Sequence, residues 1–145
     1  LLVGQILGPS TVAIQVPFLN DPLAFLFDLP EGFAENPPVV LHQTLDCSGA
    51  RLLPLDPAIF RTAWVIGTTA FYAVDLLGVL DIQSFEALGM IGCPGGTALP
   101  NGFCCYQRQE RRRVGTLGTF DLGILGIVPP FKIVPRCSIF PGACG

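Results

Sequence analysis

RTAWVIGTTAFYAVD, residues 61–75, decides how this chain is read. Its β-branched and aromatic residues fall into two short runs parted by Gly67, where a strand pattern expects a bulge, bend or turn. LLGVLDIQSF, residues 76–85, continues the same style. Residues 62–80 are also long and apolar enough for a membrane helix. Against a helix stand Asp75 within the run, Arg61 and Asp81 at its edges, and Gly67 and Gly78. Strands buried on both faces give equally continuous apolar runs, so the segment is read as strands and membrane insertion is not expected.

Toward the N-terminus, residues 11–19 read TVAIQVPFL and alternate, with Val12, Ile14, Val16 and Phe18 on one face. Pro17 cannot donate to a ladder and marks an edge or a strand end. Residues 22–29 are a second apolar stretch, open between a short strand and a helical turn. Residues 30–38 (PEGFAENPP) are a loop by composition, and residues 39–45 return to strand-like composition. Toward the C-terminus, residues 89–102 hold five glycines and two prolines and read as turns. Residues 107–113 (QRQERRR) concentrate charge and read as a solvated loop or as a contact for an acidic surface. Residues 114–134 break into three short apolar pieces at glycines and at Pro129 and Pro130. Residues 77–82 and 117–122 echo each other weakly; two related hairpins would explain it, but no regular period extends the echo to a third copy, and it is read as chance similarity among apolar strands with Gly.

Glycine (17) and proline (14) make up about a fifth of the 145 residues, which punctuates the chain too often for long helices. The expected fold is mainly β: a single-domain antiparallel sandwich or jelly-roll-like barrel with a Cys-rich C-terminal half. Residues 1–20 form an apolar arm or edge strand and residues 21–145 the β-rich, disulfide-stabilised domain. The chain opens on an apolar run at Leu1 without a basic segment before it, and is read as a processed product.

Six cysteines, Cys47, Cys93, Cys104, Cys105, Cys137 and Cys144, survive as disulfides only outside the reducing cytosol, so an extracellular location or a cell or spore surface is expected. Adjacent Cys104 and Cys105 point to opposite faces of an extended chain and find different partners. Proximity favours Cys93 with one of the doublet and Cys137 with Cys144. Cys47 then ties the first half to the second or joins another copy. A doublet in a small apolar chain loosely resembles the fungal hydrophobins. Their pattern has eight cysteines with two doublets, against six and one here, and membership does not follow.

No catalytic set is found. His42 is the sole imidazole, no nucleophile elbow is present, and it reads as an ordinary strand or loop residue. Asp75 and Asp81 lie in no recognisable acid–base context. No C-x-x-C knuckle or other zinc pattern occurs, so neither a metal nor a cofactor is expected. A net charge of −3 opposes nucleic-acid binding, and no specific small molecule is indicated.

Only 13% of the residues are charged while half are hydrophobic, which leaves little to wet the surface of a lone molecule. Charge is also uneven. Residues 1–50 carry Asp21, Asp28, Glu31, Glu35 and Asp46 with no Lys or Arg, whereas Arg108, Arg111, Arg112, Arg113, Lys132 and Arg136 lie beyond residue 105. Ends of opposite sign either neutralise each other within one fold or suit head-to-tail association between copies. The expectation is a non-enzymatic structural subunit whose partners are copies of itself, polymerising into a disulfide-stabilised fibre, appendage or protective coat. Val12, Ile14, Val16 and Phe18, adding a strand to a neighbour, and Arg111, Arg112 and Arg113 are the candidate contacts. The competing expectation is a small secreted surface-active or apolar-ligand-binding β protein.

Overall fold

The structure, a computed structural model, describes residues 5–8, 10–28, 32–55, 61–88 and 91–126, with backbone alone at residues 5–8 and at Asp28. The chain is mainly β, and its sheets are antiparallel apart from one short parallel pairing. In chain order the strands are β1 (Gln5–Gly8), β2 (Thr11–Ile14), β3 (Leu23–Asp28), β4 (Gly32–Phe33), β5 (Val40–His42), β6 (Leu52–Pro54), β7 (Arg61–Thr62), β8 (Trp64–Ile66), β9 (Thr69–Leu88), β10 (Thr97–Ala98) and β11 (Phe103–Asp121). A 3-10 turn, Leu122–Leu125, follows β11.

One sheet runs β1-β2-β3-β4, with β7 parallel to β3. The other is built on the hairpin of β9 and β11, the two longest strands. Here β9 pairs β11 and β5, β5 pairs β6, and β6 pairs β11, so these hydrogen-bonded neighbours form a closed circuit; β8 and β10 add to its outside. Each strand of the circuit contributes one residue to a core cluster: Leu41, Leu52, Ile82 and Val114. The adjacent residues Val40 and Leu53 face the other way into a second cluster with Ala73, which explains why β5 and β6 are buried on both faces.

The two sheets pack on each other through Ile14, Val16, Leu23 and Phe25 on one side and Ala63, Val65, Ala70 and Tyr72 on the other. Burying each of the larger side chains contributes about 1.5–3 kcal/mol.

Gly67 sits in the two-residue turn between β8 and β9 at φ 57°, and its N–H donates to Glu35 Oε1 at 2.8 Å. The turn expected there is present, and residues 62–80 are strand and turn. Among the described residues no helix is long and apolar enough to cross a membrane. The ambiguous stretch at residues 22–29 contains β3.

Other segments differ from expectation for identifiable reasons. Strand β2 stops at Ile14; Leu19 N–H returns to Val16 O at 3.0 Å and closes a turn over Pro17 and Phe18. Phe18 is therefore not in phase with Ile14, yet its ring packs edge-on to Phe120 at 5.3 Å. QRQERRR is not a loop: residues 107–113 lie within β11, held extended by the ladder to β9. The glycines of residues 114–121 do not break the chain either, because Gly115 and Gly118 are points of close approach. A Cβ on Gly115 would collide with the Asp75 carbonyl oxygen and the Ala73 side chain, and one on Gly118 with Val74 Cγ2. The echoing segments lie on the two partner strands of one hairpin, not on two hairpins; Gly78 faces Val114 and Gly118 faces Tyr72.

Candidate functional site

The cysteine doublet opens β11, and its two thiols go to different partners, as their opposite directions require. Cys105 bonds Cys47 and Cys104 bonds Cys93. Cys47 thus ties the first half of the chain to the second. Both partners adopt positive φ, 58° at Cys47 and 46° at Cys93, where a side chain is disfavoured, and the cross-links hold the chain there. Two disulfides fit an oxidising, extracellular-type environment. The expected bond between Cys137 and Cys144 lies outside the described residues, as do Lys132 and Arg136.

Beside the Cys47–Cys105 bond lies a buried polar network that the sequence reading did not anticipate. His42 on β5 and Glu86 on β9 are buried, with Nε2 and Oε1 2.6 Å apart. The other ring nitrogen, Nδ1, lies 3.2 Å from the Ser48 carbonyl oxygen, so the ring bridges a carboxylate and a main-chain carbonyl. Glu86 Oε2 accepts from Asn101 Nδ2 at 2.9 Å and from Arg51 Nη2 at 3.4 Å. Buried Ser84 accepts from Cys47 N–H at 3.0 Å and donates to the Thr44 carbonyl at 2.5 Å. Two strands, the segment around residues 43–51 and the turn at Asn101 are thereby joined around one carboxylate. His42 is a strand residue, but not an ordinary one.

A signal was present in the letters. Ser84 and Glu86 fall in phase with buried Ile82 at a period of two, so the face that hides Ile82 had to hide a carboxylate as well. A buried carboxylate requires a donor, and the chain has one histidine to offer.

The outer surface of the hairpin differs in character. Leu76, Leu77 and Val79 are 66%, 47% and 49% exposed, clustered where Gly78 at φ 93° accompanies a register shift in the ladder. Across the ladder Val79 faces Arg113, Leu80 faces Arg112 and Asp81 faces Arg111. The Asp81–Arg111 ion pair, at 3.2 Å, is open to solvent, while Arg112 Nη1 lies 3.9 Å from Glu110 Oε1. The three arginines expected to form a contact are thus beside an apolar strip. Asp75 is also exposed on β9, and the structure does not bring it to Asp81 as an acid–base pair.

Val12, Ile14, Val16 and Phe18 are placed elsewhere. Ile14 and Val16 belong to their own chain's core, with Val12 packed against it, and β2 pairs with β1 and β3. For this segment to serve a neighbour it has to leave that core.

Among the described residues no group of three or more His, Cys, Asp or Glu is placed to hold a metal ion. A cleft of about 390 Å³ beside the Cys47–Cys105 bond is lined by Asp46, Gly95, Gly96, Thr97, Tyr106 and Gln107 among others, a wall poorly suited to an apolar ligand. No protein-family model, curated protein or solved structure matches this chain.

Proposed function

We propose that the chain is a structural subunit, secreted or displayed at a cell or spore surface, that assembles with copies of itself into a disulfide-stabilised fibre, appendage or coat. The observation that carries this reading is the strip of Leu76, Leu77 and Val79, exposed on the longest strand beside Arg111 and Arg113. Three bulky aliphatic side chains standing together in water are a cost that a second protein surface removes. The cross-links add durability, because a stapled subunit unfolds and dissociates slowly. Within the subunit, the two packed sheets are read as a sandwich whose second layer closes like a small barrel. The subunit has no catalytic role, and its partners are copies of itself.

Electron microscopy and sedimentation of the oxidised protein, with non-reducing electrophoresis alongside, test the reading. Ordered polymers that weaken on reduction are expected. A compact monomer that persists at high concentration with its disulfides formed overturns it.

A further inference from the structure

We infer that subunits join head to tail through the hairpin, the outer edge of β9 in one copy pairing with the outer edge of β11 in the next. The inference rests on the assembly reading above and specifies its contact. Strand β9 pairs β8 as far as Phe71 and β5 from Ser84, and Arg61 Nη1 caps the Ala73 and Val74 carbonyls at 2.9 Å. Between Asp75 and Gln83 its outer edge has no strand partner among the described residues. On β11, β10 covers Cys104 and Cys105, β6 begins at Val114, and Leu55 N–H takes the Arg113 carbonyl at 2.9 Å. The outer edge from Tyr106 to Arg111 likewise has no strand partner among the described residues. Unpaired edges of this kind are templates for another strand.

Charge selects which edges meet. The open stretch of β9 holds Asp75 and Asp81 and no cation, whereas the β11 edge holds Arg108 and Arg111 against Glu110, with Arg113 at its end; the Asp81–Arg111 pair within one hairpin is open to solvent, so both charges still face a neighbour. Joining two β9 edges sets aspartates against aspartates, and joining two β11 edges sets arginines against arginines; β9 against β11 sets opposite signs together. Geometry agrees. Displacing an antiparallel hairpin sideways puts its second strand beside the next copy's first strand, again antiparallel. The ladder is regular from Val79–Arg113 to Ile82–Glu110, so the part of it short of Arg113 offers an undistorted register to both neighbours. Two different surfaces meeting in this way do not close a pair, and repetition gives an open polymer.

Two variants with exposed substitutions test this. Leu77→Lys with Val79→Lys blocks the β9 edge, and Arg111→Glu with Arg113→Glu blocks the β11 edge. Circular dichroism and intact disulfides check that each is folded. Each alone is expected to remain monomeric, since like charges then face each other, and an equal mixture is expected to polymerise again by native mass spectrometry, since the new lysines meet the new glutamates while the unaltered edges meet as before. If wild type polymerises and both variants polymerise equally well, the contact lies elsewhere while the assembly reading stands. If wild type itself never associates, the assembly reading fails first. Should a variant not fold, hydrogen exchange on wild type decides: amides of residues 79–83 and 106–111 become protected in the polymer, and unchanged exchange there overturns the inference.

Discussion

Glu86 and Asp81 lie five residues apart on one strand, and each carboxylate meets a basic side chain, yet burial gives them different weight. Asp81 and Arg111 are both largely in water, where an ion pair is worth under about 1 kcal/mol. Asp81→Asn should therefore shift the urea midpoint little. Glu86→Gln leaves His42 in the interior without its carboxylate and should cost about 3 kcal/mol in the same measurement, the typical penalty for breaking a buried pair. Asp46 gives a pH signature. The Ser48 hydroxyl at 2.6 Å, with the Ser48 N–H, holds its carboxyl below the ordinary value. A depressed acid stabilises the fold above its unfolded pKa and loses that contribution as pH falls through the folded one. An NMR titration should find the Asp46 midpoint moved upward in Ser48→Ala.

The hairpin shows how an element can be legible in composition and hidden in length. The β-branched and aromatic runs of residues 61–75 announced strands, and Gly67 announced their turn. That one strand continues to Leu88 and its partner to Asp121 was not readable, because glycine breaks a chain and permits close approach with the same letter. Gly115→Ala tests which use applies: with Asp75 and Ala73 in the way, overpacking should cost about 1–3 kcal/mol by chemical denaturation. The two disulfides differ in the chain they close. Cys47 and Cys105 are 58 residues apart and Cys93 and Cys104 are 11, so loop entropy assigns them about 4 and about 3 kcal/mol. Replacing Cys47 and Cys105 by Ser should lower the thermal midpoint more than replacing Cys93 and Cys104. Because the smaller loop is nested in the larger, the two losses should not add.

At the scale of the whole molecule, the excess of apolar over ionic residues has two destinations. Much of it fills three core clusters, and another part stands on the outside, at Leu76, Leu77 and Val79 on the hairpin and at others such as Leu45, Leu88, Ile91 and Ile124. Composition alone could not divide the two. If aspartates and arginines guide association, the rate of polymer growth should fall as salt is raised from about 0.01 to 0.15 M, where the screening length shrinks from about 30 to 8 Å. Replacing Arg111 and Arg113 by Gln should slow growth at low salt and flatten that dependence, as followed by light scattering. Growth indifferent to both would remove charge as the guide.

By itself the sequence determined that the chain is β-rich, cross-linked and suited to an oxidising environment, and that the doublet's two sulfurs serve different partners. These are local properties, set by side-chain shape, by the alternation of an extended backbone and by thiol chemistry. Only the tertiary structure decided that His42 meets Glu86, that QRQERRR lies in a strand, and that Leu77 is outside while Leu41 is inside. Those outcomes depend on register between segments distant in the chain, and a one-residue slip in register would exchange the buried and exposed faces without changing a letter.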